Sequence, residues 1–350
     1  MDILQVIADE LQIKKGQVEK SVELIDEGAT IPFIARYRKE VTGSLNDEQL
    51  RALSERLVYL RNLEEKKASV LATIEEQGKL TDELKKQIEA VMTMVALEDL
   101  YRPYRPKRRT RATIAKEKGL EPLAEILRAQ ATTRTIEEEA TAFVDAEKGV
   151  ESVQDAIDGA KDILAEVYAD DADYRTKLRA MTKESGSLVA KAKDEEADSV
   201  YEMYYDFSEP IKKLVGHRIL AINRGEAEKF LTVKIEAPRQ LVKQIIGNMK
   251  HDSASYLYEA ITDSYDRLIA PSIEREIRNE LTEKAEEGAI GVFGKNLHQL
   301  LMQPPISGQV VLGWGPGFAH GSKLAVVDET GKVLDTVIIY PTKGQKNYDA

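Results

Sequence analysis

The densest run of groups that could bind a polyanion lies between residues 102 and 118. Eight cations stand there against a single acid, Glu117, in a chain whose formal net charge is -11. The cations are Arg102, Arg105, Lys107, Arg108, Arg109, Arg111, Lys116 and Lys118. Guanidinium and ammonium groups at this density attract phosphate through the release of counterions. This local reversal of charge predicts a contact with nucleic acid, with the cations from Arg102 to Arg111 as its first candidates.

The sequence YRPYRP (101–106) sets the backbone that presents these cations. Proline fixes φ and disfavours a helical conformation at the residue before it, so the segment is predicted to be extended, close to polyproline II. Tyr101 and Tyr104 are expected to bury their ring faces and anchor it, which leaves PKRRTRA facing outward. In the alternative interpretation, the arginines pair with acidic helices of the same chain and act as a structural clasp.

A second basic element is IPFIARYRKE (31–40), which is predicted to form the third helix of a compact unit. Phe33 and Ile34 are expected to be buried on this helix, whereas Arg36 and Arg38 should point away from the core. Units with a basic third helix can dock in the major groove, but this helix carries no Asn or Gln to contact bases. The pattern therefore disfavours a unit that reads bases in the groove, and Arg36 and Arg38 are weaker nucleic-acid candidates.

Residues suited to catalysis or metal binding form no recognisable motif. The chain has no cysteine, which excludes thiolate zinc sites and cysteine nucleophiles, and its four histidines lie far apart in sequence. The G-x-S-x-G serine motif is absent, and the glycine-rich stretch 313–317 lacks the spacing of a phosphate-binding loop. We therefore expect no enzymatic activity, no metal and no cofactor.

Composition favours a cytoplasmic globular protein. Hydrophobic residues make up 42% and charged residues 32% of the 350 residues, which is typical of folded domains. The absence of cysteine fits a reducing compartment. No apolar run approaches the roughly 18 residues that span a bilayer, and the N-terminus MDILQVIADE lacks the basic region of a signal peptide. We expect a cytoplasmic location and no membrane contact.

Helices are predicted over most of the chain, and caps mark the pair that carries the basic segment. Asn46 and Gln49 form a capping box for a long helix that should end near Gly78. The next helix is expected to begin after Thr81. Its predicted buried stripe consists of Leu84, Ile88, Val91 and Val95. The two helices should form an antiparallel pair that holds the basic segment rigidly at its end.

Two regions depart from the helical pattern. In the first, strands are predicted for SGSLVAKAK (185–193) and FLTVKI (230–235), with a helix from Pro210 to Gly225. The aromatic residues of YEMYYDFSEP (201–210) are expected in the core of that region. Helices should return from 238 to 303. The second region begins at residue 304, where β-branched runs and the turn Glu329-Thr330-Gly331 predict strands joined by a hairpin.

Three passages together resemble the Tex family of bacterial transcription accessory proteins. They are FIARYRKEVTGSLND (33–47), LEDLYRPYRPKRRTRATIAKEKGLEPLA (97–124) and VLGWGPGFAHGSKLAVVDETGKVLDTVIIYP (311–341), and HRILAINRGE (217–226) fits as well. The resemblance implies a mainly α fold, in which a multi-helical N-terminal region with helix-turn-helix-like elements precedes the first β-strands of an RNase H-like (YqgF) α/β domain.

The same resemblance sets the expected domain boundaries. The helical region is assigned to 1–305, with a helical hairpin near 45–130 and a small mixed α/β element near 185–240. The YqgF-like domain is assigned to 306–350, where the chain is expected to stop after the first three strands. Tex proteins are longer, and the resemblance places helix-hairpin-helix elements and a C-terminal OB-fold RNA-binding domain beyond that point.

One departure from the family pattern bears on catalysis. RNase H-like nucleases carry a metal-binding acid on their first strand, and Tex-like sequences usually read G-[IVF]-D-P there. This chain has Gly313-Trp314-Gly315-Pro316, so Gly315 replaces the carboxylate, and Ala319 and Ser322 replace the family's usual arginine and cysteine. Asp328 is interpreted as a turn residue. The resemblance therefore implies no nuclease activity for this chain.

The predicted function is that of a non-catalytic transcription accessory factor that contacts the RNA or DNA backbone without sequence preference. Nucleic acid is the expected partner, and RNA polymerase or ribosome-associated machinery are candidate protein partners. The alternative is a helical protein-interaction scaffold for the transcription machinery, in which the basic segment is an internal clasp.

Overall fold

A computed structural model describes residues 1–237, 254–304, 308–317 and 320–341. The chain divides into two compact units, Met1–Glu283 and Lys284–Ala350. None of the helices in the described ranges has the long apolar stretch that crossing a membrane requires. The predicted domain boundary after residue 305 stays a prediction.

The first unit begins with helices that pack around one long helix. They are α1 (Ile3–Leu11), α2 (Lys15–Asp26), α3 (Ile31–Tyr37), α4 (Lys39–Thr42) and the long helix α5 (Asp47–Glu76). α1, α2 and α3 all contact α5, whose inward face is a stripe of buried leucines from Leu50 to Leu63. The predicted capping box is confirmed, since the Asn46 side chain accepts a hydrogen bond from Gln49 N at 2.8 Å and Gln49 Oε1 accepts one from Asn46 N at 3.1 Å.

The single helix that was predicted to pair with α5 is two helices in the structure. They are α6 (Asp82–Ala90) and α7 (Met94–Tyr101). Thr81 caps α6 as predicted, and Leu84 and Ile88 are buried. The predicted buried stripe is wrong beyond Ile88, because the backbone of Val91 is extended and the side chain of Val95 is exposed. Thr93 supplies a new N-cap by accepting a hydrogen bond from Ala96 N at 3.3 Å, which starts α7 in a different direction.

A second group of helices packs around α11. Its members are α8 (Arg111–Glu117), α9 (Glu121–Ala129), α10 (Ile136–Thr141), α11 (Val153–Ala169), α12 (Ala172–Ser185) and α14 (Ala254–Asp263). Small residues of α11, such as Ala156 and Ala160, are fully buried and allow close approach of its neighbours. A π-helical turn (Ser264–Ile269) joins α14 to α15 (Ala270–Leu301). The predicted helical stretch 238–253 lies outside the described residues.

A small mixed element follows α12. Strands β1 (Ser187–Ala192), β2 (Asp206–Pro210) and β3 (Leu231–Glu236) form an antiparallel sheet in the order β2-β1-β3, with α13 (Gly216–Ala227) packed on β3. Tyr201 and Tyr204 are buried in its core, as predicted. The helix predicted from Pro210 is wrong at its start, because a 3₁₀ turn (Ile211–Lys213) and an extended Leu214 precede α13.

The second unit contains a three-stranded antiparallel sheet. Its strands are β4 (Val311–Gly315), β5 (Ser322–Val327) and β6 (Val333–Ile339), in that order. The predicted hairpin joins β5 to β6, and Gly331 takes the left-handed φ of 85° that the turn requires. Asp328 Oδ1 accepts hydrogen bonds from Thr330 N and Lys332 N, which confirms Asp328 as a turn residue.

A buried ionic network joins α7, α12 and the first part of α15. Asp99 accepts from Arg175 Nε at 2.6 Å and from Arg179 Nη2 at 2.8 Å. Glu276 accepts from the same two guanidinium groups at 3.0 and 2.7 Å. The Arg175 side chain is only 1% exposed. Because α7 leads directly into the basic segment, this network fixes where that segment starts.

The electrostatics of the network favour the ionised forms. Burial acts to raise the pKa of Glu276, but its hydrogen bond with Arg179 and the charges of both arginines outweigh burial and lower that pKa. Burial likewise acts to lower the pKa of Arg179, yet the Glu276 and Asp99 carboxylates raise it above its ordinary value. Each charge is therefore compensated inside the unit.

Replacement of Asp99 by Ala should lower the free energy of unfolding by about 3–5 kcal/mol, because it removes the more deeply buried of the two carboxylates that Arg175 and Arg179 share. Urea denaturation followed by circular dichroism measures this change. The control is Asp26→Ala, which breaks the exposed Arg61–Asp26 pair and should cost about 0–1 kcal/mol. Equal effects from the two substitutions would contradict a supporting role for the network.

Candidate nucleic-acid interface

The basic segment turns where an extended conformation was predicted. α7 ends at Tyr101, and residues Arg102–Tyr104 form a 3₁₀ turn in which Arg102 is helical, with φ -52° and ψ -42°. The turn is closed by a 3.0 Å hydrogen bond from Arg105 N to Tyr101 O. Pro103 lies in its first turn, where a missing N–H costs nothing. At Arg105, with φ -67° and ψ 131°, the backbone is extended as predicted.

The two tyrosines anchor the segment as predicted. Tyr101 and Tyr104 are half-buried against the core formed by α5, α6 and α7. Gln77, at the end of α5, donates a 2.8 Å hydrogen bond to the carbonyl of Tyr104. The segment is therefore tied to the long helix by both apolar and polar contacts.

Two of the predicted nucleic-acid candidates face acids of the same chain. Lys107 Nζ lies 3.0 Å from Glu166 Oε1 and also pairs with Asp170, and Arg102 Nε lies 3.3 Å from Asp170 Oδ1. Burial lowers the pKa of Arg102 and raises the pKa of Asp170 despite the neighbouring Lys107. Arg102 and Lys107 thus make the internal ion pairs that the clasp interpretation predicts.

Three other candidates remain open to solvent, and we call Arg105, Arg108 and Arg109 the arginine edge. The Arg105 side chain is 66% exposed and lies 3.9 Å from Glu98, and that of Arg109 is 70% exposed and lies 3.1 Å from Glu117. Arg108 is exposed and forms no ion pair within the described ranges. Exposed pairs of this kind contribute at most about 1 kcal/mol, so the arginine edge is available to an external anion.

The last cations of the run lie apart from the arginine edge. Arg111 begins α8 and lines a cleft with acids of α11 and α14, including Asp162 and Asp263. Lys116 pairs with Glu121 at 2.8 Å, and Lys118 donates to the carbonyl of Gly149 at 2.7 Å. The predicted candidate Arg111 is therefore exposed but surrounded by carboxylates.

The arginine edge borders a cleft of about 550 Å³. Its walls include Glu98, Glu166, Asp170, Arg175 and Leu268. Arg175 reaches it from the buried network, and its Nη1 finds no hydrogen-bond partner among the described residues. Sequence reasoning missed Arg175 and Asp99, because their partners lie on distant helices and no local spacing marks them.

The predicted candidates Arg36 and Arg38 lie on the surface at α3. Both are exposed, and neither forms an ion pair in the described part of the chain. Ile34 is fully buried as predicted, but the prediction for Phe33 is wrong, since that ring is 40% exposed. In a helix of only seven residues, the face that meets the core holds Ile31, Ile34 and Ala35, and Phe33 lies outside that face. The helix-turn-helix interpretation stays a prediction.

Strand β4 has no acidic residue at the position that the resemblance assigns to a metal ligand. Gly315 is the last residue of β4 and pairs with Lys323 of β5. Within the described ranges, no group of three or more His, Cys, Asp or Glu side chains could hold a metal ion. Ala319 lies outside the described residues.

The architecture is mainly α, followed by the strands that open a YqgF-like domain, as predicted. Models of three family domains match the chain: Tex-like protein N-terminal domain at residues 1–75, Tex central region-like at 131–293, and Tex protein YqgF-like domain at 309–350. The chain belongs to the Tex family.

Relatives match nearly the whole chain. The Bacillus subtilis protein YdcI is 48% identical over 96% of this chain and 48% of its own length. The transcriptional accessory protein Tex of Neisseria gonorrhoeae is 42% identical over 97% of this chain and 46% of its own length. The human S1 RNA-binding domain-containing protein 1 is 32% identical over 98% of this chain and 36% of its own length. This chain thus spans about half the length of the bacterial relatives.

Replacement of Lys107 by Ala should lower the free energy of unfolding by about 1–3 kcal/mol, because two half-buried carboxylates lose their cation. The matched control is Arg108→Ala, which removes a neighbouring exposed cation and should change stability by less than about 0.5 kcal/mol. Urea denaturation measures both. A larger loss for Arg108→Ala would contradict the division of the segment into inner and outer cations.

The effect of Lys107→Ala should also depend on pH through Asp170. A carboxyl group whose pKa is raised by burial favours the folded state while protonated, and this contribution is lost as the pH rises through the raised pKa. Loss of the Lys107 cation should raise the pKa of Asp170 still further. The stability difference between the wild type and Lys107→Ala should therefore widen as the pH rises through the pKa of Asp170 in the wild type, which lies above the ordinary value of 3.8. Denaturation at a series of pH values measures it, and a constant difference would contradict the Lys107–Asp170 contact.

Proposed function

We propose that this chain is part of a non-catalytic transcription accessory factor and contacts the phosphate backbone of RNA or DNA through the arginine edge. The contact involves charge rather than base edges, so it is independent of sequence and sensitive to salt. Lys107 and Arg102 belong to the support of this surface, not to the surface itself.

The proposal rests above all on the difference between inner and outer cations of one segment. Inner side chains are fixed against Glu166 and Asp170, whereas Arg105 and Arg109 are mostly exposed and have weak partners. A phosphate that approaches the edge displaces only exposed ion pairs, which cost little to break. The fixed inner cations keep the backbone of the edge in place, so little conformational entropy is lost on binding.

The names of the relatives agree with a role in transcription and with RNA as a ligand of the wider family. One relative is called a transcriptional accessory protein and another an S1 RNA-binding domain-containing protein. The proposal includes no chemical step, because Gly315 offers no carboxylate where the family pattern has one. A cytoplasmic location and a protein partner such as RNA polymerase stay predictions.

A protein-interaction scaffold is the second candidate, and the ion pairs of Arg102 and Lys107 favour it. These pairs are the internal clasp that this function assumes. The two candidate functions differ in what they predict for the arginine edge. It binds phosphate in the first function, and it has no role in the second. Stability and nucleic-acid binding of edge variants therefore separate them.

The triple substitution of Arg105, Arg108 and Arg109 by Ala should weaken binding of labelled single-stranded and duplex oligonucleotides and leave the melting temperature nearly unchanged. The slope of log K against log salt should fall by about 2–3, since up to three phosphate contacts are lost. Fluorescence anisotropy at several salt concentrations measures this slope.

The control for net charge is a triple substitution of Lys20, Arg51 and Arg61 by Ala. These cations are also exposed, and each pairs with an acid of its own helix or of a neighbouring one. This control variant changes the net charge by the same amount as the arginine-edge variant, and it should leave the slope of log K against log salt unchanged. If both triple variants reduce affinity alike, net charge and not the arginine edge governs binding, and the proposal fails.

A further inference from the structure

Two aromatic rings stand exposed side by side on α3. Phe33 is 40% and Tyr37 is 56% exposed. One helical turn separates them, so they lie on the same face, with ring centroids 5.4 Å apart and planes inclined at 49°. The apolar core beneath α3 includes Ile31, Ile34 and Ala35 but neither ring. The two rings therefore contribute little to the fold through burial.

Cations surround these rings. The Arg38 guanidinium lies 5.2 Å from the centroid of Phe33, and that of Arg36 lies 5.9 Å from the centroid of Tyr37. Arg36, Arg38 and Lys39 are exposed, and none of the three forms an ion pair within the described ranges. These cations beside exposed aromatic rings give this part of α3 a surface that differs from the exposed ion pairs of the neighbouring helices. We call Phe33, Arg36, Tyr37, Arg38 and Lys39 the α3 patch.

We propose that the α3 patch binds single-stranded nucleic acid, with Phe33 and Tyr37 stacking on unpaired bases while Arg36, Arg38 and Lys39 contact the adjoining phosphates. Exposed aromatic rings beside cations are the combination that single-strand binding requires, because every base has a π face and every nucleotide carries a negative charge. The cation–π contacts hold the guanidinium groups next to the rings before any ligand arrives.

The composition of the patch argues for this ligand over others. Protein–protein interfaces are depleted of lysine, whereas Lys39 is exposed beside the rings here. A duplex keeps its bases stacked inside, so its grooves offer no base faces to these rings. The inference names the ligand class of the proposed function, on which it rests, but it depends on none of the residues of the arginine edge.

The test compares two labelled strands of equal length and charge, oligodeoxythymidine and a strand of abasic units, by fluorescence anisotropy with the 350-residue chain. The wild type should bind the thymidine strand more tightly. Double substitution Phe33→Ala with Tyr37→Ala should weaken thymidine binding at least about five-fold and leave abasic binding nearly unchanged. Tyr258→Ala is the matched control, since that ring is 44% exposed elsewhere in the same unit, and it should preserve the preference.

A second variant distinguishes a loss of base stacking from a loss of folding in the double alanine variant. Phe33→Leu with Tyr37→Leu keeps helix propensity and apolar surface but removes both π faces, and it should lose the preference for bases equally. Equal binding of both strands by the wild type, or an unchanged preference in the leucine variant, overturns the inference. The triple variant of the arginine edge should weaken both strands alike, so failure of the edge and failure of the patch give different results.

Discussion

The carboxylate of Asp99 is the constraint on which the candidate interface depends. It lies almost completely buried between two guanidinium groups of α12, and those groups also hold Glu276 of α15. Charges removed from water must be paired, so the three helices are joined at one geometry. Three residues after Asp99, Arg102 meets Asp170, the residue that caps the C-terminus of α11, and Lys107 meets the same carboxylate. The basic segment is thus fixed at successive points by ion pairs, while its prolines fit the turn that these pairs impose.

This arrangement divides one run of charge between two roles. Side chains that point inward are compensated by Glu166 and Asp170, and side chains that point outward meet only Glu98 and Glu117 at exposed positions. The difference in burial decides which pairs an external phosphate can replace. Exposed pairs are worth about 0–1 kcal/mol, and half-buried ones cost several times more to break. A single segment therefore serves as both the support and the surface of the interface.

Sequence reasoning succeeded where the signal was local. The capping residues Asn46 and Thr81 and the turn at Gly331 each depend on neighbours within a few residues. It failed where tertiary packing decides. Thr93 starts a new helix within the segment that was predicted to form one apolar stripe. On α3, Ile34 lies on the buried inner face, whereas Phe33 lies outside it. The partners of Lys107 lie 59 and 63 residues further along the chain, so the charge run was visible in the sequence, but its division was not.

The arginine edge and the α3 patch use different physical forces and share one support. α3 packs on α5, and the basic segment is tied to the end of the same helix through Gln77. Under the two proposals, the edge recognises phosphate alone, whose attraction weakens as salt rises, while the patch combines phosphate contacts with stacking on base faces. Two such contacts on one compact unit bind one strand more tightly than either alone, provided the strand can reach both. The selectivity for single strands then resides in the rings of α3, and the cations of both surfaces contribute to the affinity at low salt.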